Sequence, residues 1–270
     1  MSSETLPPRT ALLIIDPQND FHPGGSLAVS GSDADAERIA AVIDDHAEDI
    51  AEIFVTLDSH HRMDIAHPKF WKGADGSSPP PFTLITQEDL EAGRWLPVEE
   101  ANLDHCKGYA RKLKEGGRFT LCIWPEHCLI GTPGHAIYPG INRALQDWAV
   151  SKRKTVTYIH KGQSTLTEHY SCFRAEVMLE DDPSTGLNTG LIAELGIFER
   201  VLICGQALSH CVNFSTRDLA ANWDPSRLGD LVLMRDGTSS VPGFEEAGEM
   251  FVKDMVDMGV TVTTCATALA

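Results

Sequence analysis

The chain has no excess of positive charge, no long apolar run and no paired-cysteine motif, and each lack removes a class of function. Its formal charge of -17, from 39 acidic against 22 basic side chains, repels phosphate backbones and anionic lipid surfaces, so nucleic acid and membranes are excluded as expected partners. The opening MSSETLPPRT carries neither the basic nor the apolar part of a secretory signal, and no apolar stretch approaches a membrane span, which leads us to expect a cytoplasmic protein. The seven cysteines are scattered without a CxxC pair, which argues against a disulfide framework or a structural zinc knuckle. Most read as small buried apolar residues. There is no internal repeat.

Short, nearly unbroken apolar runs are present instead: Ala11 to Ile15, Ile53 to Leu57, Val156 to Ile159, Val201 to Cys204, Leu231 to Met234 and Val260 to Thr264. They are apolar on both faces and rich in Val and Ile, as strands covered on each side must be. Segments with helical spacing lie between them, namely Asp33 to Ile50, Arg143 to Ser151, Val212 to Asn222 and Phe244 to Met258. Strand then helix, repeated, predicts an α/β fold, a doubly wound and mainly parallel sheet of about six strands with helices on both faces. Residues 1–270 read as one domain. The interval from about 68 to 118, with Gly73-Ala-Asp-Gly-Ser-Ser-Pro-Pro-Pro81, a cluster of acids and Gly116-Gly117, has little strand character and reads as an insertion passing over the sheet, serving as a lid or partner surface or lacking order.

In an open parallel sheet the ligand crevice lies beyond the carboxyl ends of the strands. The apolar runs there lead into Asp16, into Asp58 with His60 just beyond, into Lys161, and through Gln206 to His210 into Cys211. A polar residue at one strand end has an ordinary explanation, solvent. A thiol, an ammonium, a carboxylate and imidazoles converging on one rim are what nucleophilic catalysis requires. Cys211 precedes an amphipathic segment and should occupy the first turn of a helix, where free N–H groups favour a thiolate, lowering its pKa from about 8.5, and can hold an oxyanion. A lone cysteine in such a place is more often core than nucleophile. Cys204, inside its strand, reads as buried and inert.

Asp58 and His60, two apart on extended backbone, point to one face, and His67 and His127 follow in sequence, the latter behind Trp124 and Pro125. Asp with two or three imidazoles suits one divalent ion, zinc or iron(II), although surface histidines would show the same spacing.

These residues resemble the isochorismatase-like cysteine hydrolases, and within them the nicotinamidase (pyrazinamidase) group. Ala11-Leu-Leu-Ile-Ile-Asp-Pro-Gln-Asn-Asp-Phe21 resembles the family's opening strand and loop, which implies Asp16 as acid/base and Phe21 as a pocket wall. Trp124-Pro-Glu-His-Cys-Leu-Ile-Gly-Thr-Pro-Gly134 resembles the segment that supplies a metal histidine, implying His127 as ligand and Trp124 as a ring contact. His160-Lys-Gly162, with Tyr170 and Phe173 after it, is similar to the segment of the catalytic lysine, here Lys161, with Tyr170 against the substrate. Gly205-Gln-Ala-Leu-Ser-His-Cys-Val212 looks like the nucleophile loop, implying Cys211 as nucleophile and a cis peptide between Gln206 and Ala207 beside the oxyanion hole.

The resemblance implies an amidohydrolase that cleaves nicotinamide to nicotinate and ammonia through a thioester, with a metal at Asp58, His60 and His127 orienting the ring. It also implies a homo-oligomer. His67 stands as a further candidate ligand. The first metal segment reads Asp58-Ser-His60-His-Arg where the family usually has Asp-Trp-His-Pro, and this motivates an alternative substrate, another small amide or carbamoyl compound. A metal-only hydrolase or a binding relic is the reading from outside the class.

Overall fold

A computed structural model describes residues 9–270, and the N-terminal stretch read above for a targeting signal falls largely outside the described residues. In chain order the elements are β1 (Thr10–Ile15), α1 (Ser32–Asp45), β2 (Ile50–Asp58), β3 (Trp71–Gly73), β4 (Leu84–Ile85), α2 (Gln87–Glu91), β5 (Trp95–Pro97), α3 (Leu103–Glu115), β6 (Leu121–Cys122), α4 (Pro139–Lys152), β7 (Thr157–Lys161), α5 (Thr189–Leu195), β8 (Arg200–Gly205), α6 (Cys211–Ala221), β9 (Leu231–Met234), α7 (Glu245–Met258) and β10 (Thr261–Thr263). All six apolar runs form strands of one sheet in the order β10-β9-β8-β1-β2-β7, and every pair is parallel.

The alternation inherent in a strand divides the core. Leu12 and Ile14 of β1 face one way, with Ile39 and Ile43 of α1 and Leu145 and Trp148 of α4. Leu13 and Ile15 face the other, with Leu191 of α5, Val212 and Leu219 of α6, and Phe251 of α7. The chain runs from β1 outward to β2 and β7, then returns to lay β8 on the other flank of β1. This reversal opens a crevice beyond the ends of β1 and β8, where such sheets bind ligands. Gly205 makes the approach of these strands possible: its φ is +111°, and a Cβ there would lie 2.0 Å from the Ile15 carbonyl oxygen.

Two expectations change. The first helix stops at Asp45 rather than reaching Ile50, because Ile50 opens β2 and is paired with Thr10. The stretch from Pro68 to Arg118 holds α2, α3 and the strands β3, β4 and β5; β3 pairs with β5, and β4 pairs with β6. Its apolar residues Phe70, Trp71, Leu90, Cys106, Tyr109 and Leu113 are buried in a third cluster with Ile65 and Val177. Among the described residues no helix is long and apolar enough to cross a membrane.

Candidate active site

Four strands deliver the polar groups to one place. Asp16 follows β1 in a left-handed backbone conformation, φ 44°. Asp58 and Lys161 end neighbouring strands in register. Cys211 opens α6, so its amide belongs to the turn whose N–H groups lack intrahelical acceptors. The Gln206–Ala207 peptide leading to it is cis.

The Lys161 ammonium is the hub. Its Nζ lies 2.9 Å from Asp16 Oδ2, 3.0 Å from Asp58 Oδ1 and 3.6 Å from Cys211 Sγ, and donates to the His169 carbonyl at 2.8 Å. Thr56 donates to Asp16 Oδ1 at 2.6 Å and accepts from the Asp16 amide. Gly162 at φ +78° keeps the space beside the lysine open, since a Cβ there would lie 2.8 Å from Asp58 Oδ1.

All these groups are buried, so charge is expensive except where paired. Burial opposes the Lys161 charge, yet Asp16 and Asp58 outweigh it and hold its pKa well above the usual range. Burial raises Asp16 despite Lys161. The expectation of a thiolate favoured by the helix start is corrected: burial drives the Cys211 thiol well up, and Lys161 offsets this only in part. The resting thiol therefore keeps its proton and needs an adjacent base. Cys204 is fully buried in β8, and burial also pushes its thiol well up.

His60, His67 and His127 are buried, with one ligand nitrogen of each within 4.8 Å of the others, and they can hold a metal ion. His60 Nδ1 is fixed by Asp64 Oδ2 at 3.1 Å, His67 Nδ1 by the His61 carbonyl at 3.2 Å, and His127 Nδ1 by the Pro125 carbonyl at 2.9 Å. These outer partners orient the rings. His67 Nε2 lies 3.2 Å from His127 Nδ1, and Asp58 and Asp64, one on each ring nitrogen of His60, raise its pKa well above the usual range against the effect of burial. Asp58 Oδ2 lies 3.1 Å from His60 Nε2 and 3.5 Å from His127 Nε2. Three buried imidazoles gathered beside a carboxylate are a donor set that fits a divalent ion.

Beside it runs a narrow pocket walled by Phe21, Leu27, Trp124, Tyr170, Ala207, His210 and Val241, with Cys211, Asp58, His127 and Glu168 also lining it. Trp124 Nε1 donates to the Tyr170 hydroxyl at 3.2 Å, locking two walls together. The space between these walls is narrow and largely apolar. Asp16, Asp58, Lys161, Cys211, the three histidines, Phe21, Trp124, Tyr170 and Ala207 thus lie together at this rim, while the Gln206 side chain donates to Asp35 Oδ2 and Phe173 and Cys204 belong to the core. Sequence reasoning missed Thr56, Asp64, Glu168 and the wall residues Leu27, His210 and Val241. Only Thr56 had a local signal, since it shares a strand face with Asp58.

No family model matches the chain. The Escherichia coli nicotinamidase is 25% identical over 221 residues, 79% of this chain and 76% of that protein. The Mycobacterium tuberculosis nicotinamidase/pyrazinamidase is 27% identical over 237 residues, 87% and 92% of the two chains. Among solved structures, an Acinetobacter baumanii nicotinamidase superposes with a TM-score of 0.65 at 21% identity over 97% of this chain and 99% of its own. An L. infantum protein in complex with nicotinate gives 0.59 at 22% identity, covering 98% of each chain. A Pyrococcus horikoshii pyrazinamidase in complex with zinc gives 0.56 at 22%, covering 95% and 99%. The fold is therefore isochorismatase-like. Within that class the chain is a homologue of the nicotinamidases and pyrazinamidases, at 25–27% identity over most of its length.

Proposed function

We propose that the protein is a metal-dependent cysteine amidohydrolase that converts nicotinamide to nicotinate and ammonia. The observation that carries this reading is the Lys161 ammonium held between Asp16 and the Cys211 sulfur. Asp16, its pKa raised by burial, takes the thiol proton as Cys211 attacks the amide carbon. Lys161 offsets the charge that forms on sulfur. Backbone N–H groups of Ala207 and Cys211 receive the oxyanion, and Asp16 returns the proton to the amide nitrogen, which leaves as ammonia. Water, activated by Asp16, then replaces sulfur at the acyl carbon and the thiol is restored. A divalent ion bound by Asp58, His60, His67 and His127 would hold a pyridine nitrogen and so orient the ring. The nicotinate and zinc complexes of the relatives support that assignment.

Ammonia release from nicotinamide by the metal-loaded protein tests the reading, with Cys211→Ser expected to retain the fold and lose turnover. Turnover by Cys211→Ser at the unaltered rate would remove the nucleophile assignment. A second reading keeps the chemistry and changes the amide: Glu168 Oε2 and His210 Nε2 line the pocket buried and without partners, two hydrogen-bonding atoms beyond those nicotinamide needs. A panel of small amides and carbamoyl compounds, compared by kcat/KM, separates the two.

A further inference from the structure

Cys128, the residue after His127, has no part in the proposed chemistry, yet its backbone is held on both sides. It is completely buried and has a φ of +47°. A left-handed backbone costs free energy for a residue with a side chain and persists only where its surroundings over-determine it. The Cys128 N–H donates to Asp20 Oδ2 at 2.7 Å, and the Cys128 carbonyl accepts from the His60 N–H at 3.1 Å. The His60 carbonyl accepts in turn from the Ile130 N–H at 3.1 Å, and a parallel bridge joins His60 to Leu129. Asp20 is itself committed on both oxygens, since Oδ1 accepts from the Ser26 N–H at 3.1 Å. Gly134 lies against this carboxylate: a Cβ there would come within 2.0 Å of Oδ2, so any side chain would displace it. Phe21, next to Asp20 in sequence, sets its ring edge-on to that of His127, with centroids 5.6 Å apart.

His60 and His127 come from segments far apart in sequence, and a metal ion tolerates only small errors in the placing of its ligands. Hydrogen bonds to the rings orient them, but the distance between the two residues is a property of the backbone that carries them. We propose that Asp20 is a positioning residue of the metal centre: its carboxylate clasps the Cys128 N–H, fixes the left-handed turn after His127, and through the Cys128 carbonyl holds His60 and His127 at ligating distance from one ion. Asp20 touches neither ion nor substrate in this role and acts through the main chain alone. A carboxylate suits it, because it binds backbone N–H groups more strongly than a neutral acceptor does. The inference rests on the reading of the three imidazoles as metal ligands.

Zinc affinity by equilibrium dialysis, with the visible spectrum of the cobalt(II)-loaded protein beside it, reads the centre without reference to turnover. Asp20→Ala removes the clasp and is expected to weaken zinc binding by about tenfold or more, the loss that removing an outer support brings to a metal site, and to shift the cobalt bands. Asp20→Asn keeps the shape and one acceptor oxygen, and its affinity should fall between those of Asp20→Ala and the unaltered protein. Gly134→Ala keeps the carboxylate but displaces it, and should weaken zinc binding as well. Melting of the metal-free proteins separates general stability from the centre. Variants that melt lower but bind zinc with unaltered affinity and give an unaltered cobalt spectrum would make Asp20 a merely structural residue and overturn the proposal. Variants unaltered in every measurement would overturn it too. If Asp20→Ala does not fold, Asp20→Asn and Gly134→Ala decide. The unaltered protein distinguishes the two failures: if it binds no zinc, the metal reading and the clasp fall together, whereas zinc binding insensitive to these substitutions removes the clasp alone.

Discussion

Lys161 Nζ stands 2.9 Å from Asp16 Oδ2 in a space where both side chains are essentially inaccessible to water, so each charge exists there because of the other. Asp58 Oδ1, 3.0 Å away, adds a second carboxylate to the same ammonium. Replacing Lys161 with Met keeps the stem and removes the charge, leaving the Asp16 carboxylate without a cationic partner and Asp58 with only its histidine side. Breaking such a pair costs roughly 3–5 kcal/mol, and loss of a residue in a cooperating catalytic group lowers kcat by about a thousandfold or more. Thermal melting together with ammonia release checks both. A variant with wild-type stability would mean that the three charges are not mutually dependent.

The role of His67 is decided by metal affinity rather than by activity. Its Nδ1 is tied to a backbone carbonyl and its ring packs 4.9 Å from that of His60 and 5.2 Å from that of His127. If all three imidazoles bind, His67→Ala should weaken zinc binding by at least about a hundredfold, as loss of a ligand exceeds the effect of losing an outer partner. Competition against a chelating dye measures this. Unchanged affinity would leave His67 as a packing residue.

β1, β2, β8 and β9 were legible because each is an apolar run that a two-sided core requires, whereas β7 and β10, at the edges of the sheet, are exposed or half-buried over most of their length and depart from the expected cover on both faces. The catalytic side chains followed because they stand where the runs end. The end of α1 was not. His46-Ala-Glu-Asp49 contains no helix breaker, so the stop at Asp45 depends on the pairing of Ile50 with Thr10 across the sheet. The segment from Pro68 to Arg118 was read by its glycines and prolines. Its order comes from Trp71, Leu90, Tyr109 and Leu113, far apart in sequence and joined only in the folded cluster. Glu168 was invisible for the same reason. Nothing local distinguishes it from solvated polar residues, and its meaning comes from lining a space that Cys211 also lines.

Tyr109 joins that cluster to the site. Its hydroxyl accepts from the Glu168 amide at 3.2 Å, and Glu168 lines the substrate pocket. Tyr109→Phe leaves a buried N–H without this acceptor, which costs about 1–3 kcal/mol. Because the change bears on a pocket wall and not on Lys161, KM for the amide should rise while kcat is little altered. Steady-state kinetics beside a melting curve separates the effects, and a loss confined to kcat would contradict the link.

The pH dependence of stability should carry a mark of Glu176. Its carboxyl is buried with neither oxygen hydrogen-bonded, and Arg118 Nη1 lies 3.5 Å from Oε2. Burial, only partly offset by Arg118, raises its pKa from 4.5 to about 8. Between these values the folded chain keeps a proton that the unfolded chain gives up. The contribution of this proton is therefore fully present below 4.5 and is lost as pH rises toward about 8, a change on the order of a few kcal/mol. Glu176→Gln makes the side chain permanently neutral. Relative to the unaltered protein, the variant should gain stability steadily as the pH is raised from about 5 to about 8, because only the unaltered protein must lose its proton or hold it against the solution. Denaturant unfolding at several pH values gives the comparison. A difference in stability that is flat across the window would mean that Arg118 already holds Glu176 ionised.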